Sequence, residues 1–303
     1  MKSIIKPRCL NFGDTIGILA PSYRVNPEHI DAAICVLEEK GFRVKRSRYL
    51  YSTTSGYAGS IEERAEDFNN IIADPETDML LFGGGEVSNE LLPYIDYSAV
   101  AAHPKIICSY SDSTTILNAI HSATGLVVFY GMFPNSFTKL TDYNWQSFQR
   151  RLMSDDTSYT RNSTWRTICP GRCEGPLTGG YLINYASLLG LKYFHLEKDQ
   201  SYVLFLEDHE QFSTPAMVSK WFSTLEHRGL FEHVSGLIFG HYSEKEFPAV
   251  DDVLRRIGQR YAIPVVHCED FGHGVNNAVL PIGCQVRLDT EADTFEILES
   301  GVS

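Results

Sequence analysis

The sequence predicts an α/β protein of two domains: an N-terminal domain built on a parallel sheet and a C-terminal β/α domain. Three observations predict it. Short apolar runs alternate with amphipathic stretches of helical period, the rhythm of a parallel sheet covered by helices. Glycine-rich and hydroxyl-rich loops follow some of the apolar runs, at the strand ends where such sheets hold ligands. The chain has 303 residues, too many for most single cores and suited to two ordinary ones.

The elements follow in order. "DTIGILAPS" (14–22) reads as a buried strand and a loop. "NPEHIDAAICVLEEKGF" (26–42) reads as a helix with Asn26 as N-cap, Pro27 at the first helical position and Gly41 as its stop. Its Ile30, Ala33, Ile34 and Leu37 fit a 3.6-residue period. "RVKRSRYL" is the next strand, and "SIEERAEDFNNIIAD" (60–74) a helix opened by a Ser60–Glu63 capping box. "DMLLFGGG" and "PKIICSYSD" are strands running into a glycine loop and a hydroxyl loop. These elements make up an N-terminal domain over 1–150. The polar stretch 151–175 has few long apolar runs and reads as an interdomain linker. From 176 to 303 the pattern is again α/β. It has strands at "SYVLFLED", "VSGLIFG" and "IPVVHC", helices between them, and the hairpin-like end "CQVRLDTEADTFEILE".

Composition narrows the functions. A hydrophobic content of 43% and a charged content of 21% suit a globular protein with ample core. The net charge of −12, with no basic stripe, argues against a nucleic-acid partner. The longest apolar runs, such as "GLVVFYGMF", fall short of the roughly 20 residues of a membrane span. Seven cysteines lack zinc-site spacing and read as reduced thiols of a cytoplasmic protein. No signal peptide is evident at the N-terminus.

Four stretches carry polar groups suited to chemistry. In "SYSDSTT" (109–115) a serine on a strand-to-helix turn can act as nucleophile, although Ser, Thr and Asp also simply cap helices. "LFLEDHE" ends a buried strand on Glu207 and Asp208, and a carboxylate there can orient a histidine. "VVHCEDFGHGVNN" sets His273 between glycines. A metal cage from His267, Cys268, Glu269, Asp270 and His273 is disfavoured, because consecutive strand residues face opposite ways. "LFGGGEVSN" lacks the spacing and lysine of a phosphate loop, but its N–H groups could hold an oxyanion. Together they allow a Ser–carboxylate–His triad spread over both domains.

The chain is similar, nearly end to end, to the LD-carboxypeptidase family of serine peptidases, which includes the microcin C self-immunity peptidases. "GDTIGILAPS", "SNELLPYIDYSAV", "SYSDSTTIL", "GPLTGGYL", "LFLED", "GLFEHVSGLIFGH" and "FGHGVNNAVLPIG" match family motifs in order. The resemblance implies a triad of Ser111, Glu207 and His273. It also implies oxyanion donors on the backbone, placed at Asp112 and at Gly84 or Gly85. It implies a Rossmann-like N-terminal domain, a swivelling β/α C-terminal domain, often a homodimer, and no metal or cofactor. Three departures stand out. Ser109 and Tyr181 replace the usual Gly and Asn, and "GGGEVSN" lacks a Tyr-Gly pair.

The primary reading is an LD-carboxypeptidase that removes the terminal D-Ala of a murein tetrapeptide. The alternative is a microcin-immunity-type hydrolase cutting the amide of an aminoacyl-nucleotide, with Trp165 stacking on the base or, instead, anchoring the linker. The remote alternative is a binding module that keeps the fold without catalysis. Tyr181 and His209 are further substrate-contact candidates, with Glu210 beside them. His103, His121, His195, His227, His233 and His241 read as surface or core residues without a site role.

Overall fold

The computed structural model describes residues 3–83 and 85–303. The first half winds β1 (Thr15–Leu19), α1 (Pro27–Glu39), β2 (Arg43–Arg46), α2 (Ile61–Ala73), β3 (Met79–Phe82), α3 (Tyr97–Ala102), β4 (Ile106–Ser109), α4 (Thr114–Thr124), β5 (Val128–Tyr130) and α5 (Asp142–Leu152). The second half winds β6 (Arg166–Cys169), β7 (Arg172–Tyr181), α6 (Leu182–Leu188), β8 (Tyr202–Glu207), α7 (Pro215–His227), β9 (Val234–Phe239), α8 (Pro248–Tyr261) and β10 (Val265–His267). It ends with β11 (Leu280–Ile282), β12 (Gln285–Asp289) and β13 (Thr294–Ile297).

The expected α/β class is what the chain adopts. One sheet runs β11-β5-β4-β3-β1-β2, parallel except for β11. The other runs β13-β12-β7-β8-β9-β10-β6, with a parallel centre β7 to β10 and antiparallel strands at both ends. Strands β1, β3, β4 and β5 are buried along their whole length, as expected where helices cover both faces. Local chemistry sets the helix ends. Asn26 Oδ1 accepts from the Glu28 and His29 N–H groups. The Ser60–Glu63 capping box is complete in both directions.

Two features differ from the sequence expectation. The stretch 151–175 holds β6 and the start of β7, so it contributes to the second sheet. Only two residues separate β6 from β7, yet β6 pairs with β10 at the far edge. The second sheet therefore curls round on itself. In addition, β11, far along the second half, pairs antiparallel with β5 of the first sheet. Gly131 makes room for this approach: a Cβ there would lie 2.8 Å from the Val279 backbone.

Candidate active site

Ser111, Glu207 and His273 converge where the carboxyl ends of the parallel strands of the two sheets meet. Ser111 follows β4, Glu207 is the last residue of β8, and His273 lies in the loop between β10 and β11. Ser111 Oγ lies 2.8 Å from His273 Nε2. His273 Nδ1 lies 2.7 Å from Glu207 Oε2. With the proton on Nδ1, the imidazole donates to the carboxylate and accepts from the serine.

The local sequence explains each position. Ser111 sits at φ +60°, a left-handed conformation costly for a side-chain-bearing residue, so the turn lifts its hydroxyl off the strand end. The neighbouring hydroxyls secure that turn. Thr114 Oγ1 donates to the Ser111 carbonyl (2.7 Å) and Thr115 Oγ1 to the Asp112 carbonyl (3.2 Å). Ser109, fully buried, bridges the Phe82 carbonyl and Ser113 Oγ. Its side chain is accommodated because it links the end of β3 to the turn. Gly272, at φ +109°, lets His273 fold over the carboxylate, since a Cβ there would lie 2.9 Å from Glu207 Oε2.

Asp112 ties three segments together. Its Oδ2 accepts from the Ser88 N–H (2.9 Å) and its Oδ1 from Asn184 Nδ2 (2.8 Å), in α6 of the other half. Gly85 packs directly on it: a Cβ at Gly85 would lie 2.2 Å from Asp112 Oδ2. Neither the Asp112 nor the Gly85 N–H donates a hydrogen bond among the described residues. Gly84, the other expected oxyanion donor, lies outside the described residues.

Electrostatics suit a general base. Burial is the largest influence on His273 and disfavours the imidazolium. The charge and hydrogen bond of Glu207, with Asp208 adding to them, outweigh it and raise the pKa. Asp208 is fully buried and its Oδ2 has no hydrogen-bond partner. Burial pushes its carboxyl up to about 6. Glu207 is also fully buried but well satisfied: Tyr130 Oη donates to Oε1 at 2.5 Å while His273 holds Oε2. Tyr130 escaped the sequence reading. It sits in the apolar run "VVFYG", and its role comes from a contact across the two halves.

His273 borders a cleft of about 580 Å³, lined among others by Tyr110, Phe133, Lys139, His209 and Glu210. His209 lines this cleft, its ring 5.9 Å from that of His273. Tyr181 is buried, with its ring 4.9 Å from that of His273. Trp165, read either as a base-stacking residue or as an anchor of its segment, does not line this cleft. It is 8% exposed, stacks on Phe295 and donates from Nε1 to Asp270 (2.8 Å), so it anchors its own segment. His241, read as lacking a site role, lines the cleft and pairs with Glu269. Among the described residues, no group of three or more His, Cys, Asp and Glu side chains is placed to hold a metal.

A two-domain α/β fold with such a site suits a hydrolase, and similarity to known proteins specifies the family. Residues 16–131 match the LD-carboxypeptidase N-terminal domain and residues 174–288 the LD-carboxypeptidase C-terminal domain. The chain belongs to the LD-carboxypeptidase family. It is 29% identical to the probable murein peptide carboxypeptidase of Bacillus subtilis, over 98% of this chain and 95% of that one. It is also 29% identical to the microcin C7 self-immunity protein MccF of Escherichia coli, over 97% and 96% of the two chains. A Vibrio cholerae relative is 30% identical over 96% of both. The solved structure of MccF superposes with a TM-score of 0.90 at 27% identity, covering 99% of this chain and 100% of that one. A muramoyltetrapeptide carboxypeptidase from Oxalobacter formigenes superposes with a TM-score of 0.80 at 25% identity, over 93% and 97%.

Proposed function

We propose that this protein is a serine peptidase that hydrolyses the amide bond to the terminal D-Ala of a murein tetrapeptide. The continuous Ser111–His273–Glu207 hydrogen-bond line, whose His273 lines the cleft, carries this reading. His273 Nε2 takes the Ser111 proton as Oγ attacks the carbonyl carbon, and Glu207 holds the imidazole in the required tautomer. The Asp112 N–H, with Gly85 or Gly84, receives the developing oxyanion. The imidazolium then protonates the leaving amine, and water, activated by the same imidazole, releases the acyl group from Ser111.

The cleft supports this substrate class. It is open, and Lys139 is its single lining lysine or arginine among the described residues. That exposed cation suits the free carboxylate of a short peptide. The seven unpaired cysteines suit a reducing compartment, so the cytoplasm is the proposed place of action. No helix among the described residues is long and apolar enough to cross a membrane. A homodimer remains part of the proposal.

A second reading has its own support. MccF, the higher-scoring of the two structural matches given above, has been solved in complex with aspartyl sulfamoyl adenosine. In this chain Tyr110 and Phe133 line the cleft, and Phe212, 65% exposed, lies 5.8 Å from the His273 ring. These faces suit a nucleobase as well as a peptide. Incubation with murein tetrapeptide and, separately, with aspartyl sulfamoyl adenosine separates the two. Free D-Ala supports the first reading and free aspartate the second. Release of neither leaves the non-catalytic binding module as the surviving alternative.

A further inference from the structure

The hydrogen bonds around Ser111 do not stop at Glu207. The Ser111 backbone N–H donates to Tyr130 Oη (3.0 Å), and Tyr130 Oη donates to Glu207 Oε1 (2.5 Å). Glu207 Oε2 then pairs with His273 Nδ1, and His273 Nε2 with Ser111 Oγ. The line closes into a ring that leaves Ser111 through its amide and returns through its hydroxyl.

We propose that Tyr130 is a positioning residue of the site, whose phenol sets both the backbone of Ser111 and the charge of Glu207. Three observations support it. Tyr130 is fully buried at the end of β5, and its hydroxyl has a donor on one side and an acceptor on the other, which fixes the direction of its proton. Ser111 is held at φ +60°, and Tyr130 takes its amide, an inward bond that turns this N–H away from any oxyanion. Tyr130 belongs to the first sheet and Glu207 to the second, so the phenol fixes the distance between the strand ends that carry Ser111 and Glu207. Burial, with the charge of Glu207 added to it, raises the phenol well above its ordinary pKa, so it stays a donor at every working pH.

Removing the phenol has a signed consequence. Without it, Glu207 Oε1 loses its donor and the carboxylate charge falls more heavily on the imidazole. His273 then holds its proton more tightly. This inference rests on the serine-peptidase reading for its kinetic test but not for its spectroscopic one. In Tyr130→Phe, kcat is expected to fall about 10- to 100-fold with KM nearly constant, because a small misplacement of the reacting groups costs that much. The acid limb of kcat/KM is expected to move to higher pH. The His273 titration, followed by NMR in the free protein, is expected to move the same way. Fluorotyrosine incorporated at position 130 keeps the shape and strengthens the donor, and is expected to move that titration to lower pH. Phe129→Leu, next on β5 and facing the opposite side, is expected to lower thermal stability without moving it. A His273 titration unchanged in both the phenylalanine and the fluorotyrosine proteins overturns the inference. If the natural protein cleaves neither substrate, the function above fails, while the titration still decides the role of Tyr130.

Discussion

Ser111 and Ser109 show how two serines two positions apart come to differ. Ser111 takes the left-handed φ of +60° and presents its hydroxyl to His273. Ser109 remains in β4, fully buried, with its hydroxyl spent on the Phe82 carbonyl and Ser113. Ser111→Ala removes the proposed nucleophile without disturbing the core. Turnover of whichever substrate is cleaved is expected to drop on the order of 10⁴-fold or more, with the melting temperature kept or raised. Undiminished turnover would refute the assignment. Ser109→Gly acts on stability instead. It strips a buried carbonyl and a buried hydroxyl of their partner and loosens the strand, a loss of roughly 1–3 kcal/mol. A melting temperature lower by several degrees, with a far smaller loss of kcat than in Ser111→Ala, is the expected pattern in thermal unfolding and steady-state assays.

Elements with strong local chemistry were legible from sequence, and those set by distant partners were not. The Ser60–Glu63 capping box and the Asn26 cap lie within three residues of the groups they satisfy, and both appear as read. Strands β6 and β11 were missed because four and three residues carry no readable period, and each is fixed by a partner more than 90 residues away. The same divide runs through the site. Ser111, Glu207 and His273 occur in recognisable motifs, whereas Tyr130 in an apolar run and Trp165 in a polar one take their roles from contacts across the fold. Gly272, next to His273, tests this when set against a glycine of another loop. Gly272→Ala brings a methyl against Glu207, while Gly190→Ala, at φ +88°, meets nothing within 4 Å. Both are expected to lose about 1 kcal/mol or more to backbone strain, measured by denaturant unfolding. Only Gly272→Ala is expected to lose most of its activity as well. Equal activity in the two variants would show that the His273 loop tolerates displacement.

At the scale of the molecule, the two halves are joined by buried polar contacts next to the site. Asn118 Nδ2 in α4 donates to the Gly179 carbonyl (2.8 Å), and the Tyr181 N–H donates to Thr114 Oγ1 (2.9 Å). This seam buries carboxylates that an apolar core would exclude, and Asp208 is the least compensated of them. Its carboxyl stands at about 6, above the ordinary value of roughly 3.9 in the unfolded chain. An acid raised on folding costs stability once it ionises. The folded protein therefore loses stability as pH rises from about 4 to about 6, by as much as about 3 kcal/mol from this group. Asp208→Asn keeps an acceptor for the His209 N–H and abolishes that cost. Its melting temperature is expected to match that of the natural protein near pH 4 and to exceed it increasingly up to about pH 6, then to hold the gain. The same change acts on catalysis with the opposite value. Asp208 helps to raise the pKa of His273, so its removal is expected to shift the acid limb of kcat/KM to lower pH. A variant that is more stable at neutral pH yet has a displaced pH profile would show that the buried charge is kept for the base it tunes. Equal melting temperatures across the range, with an unmoved acid limb, would show instead that Asp208 stays protonated and plays no electrostatic part.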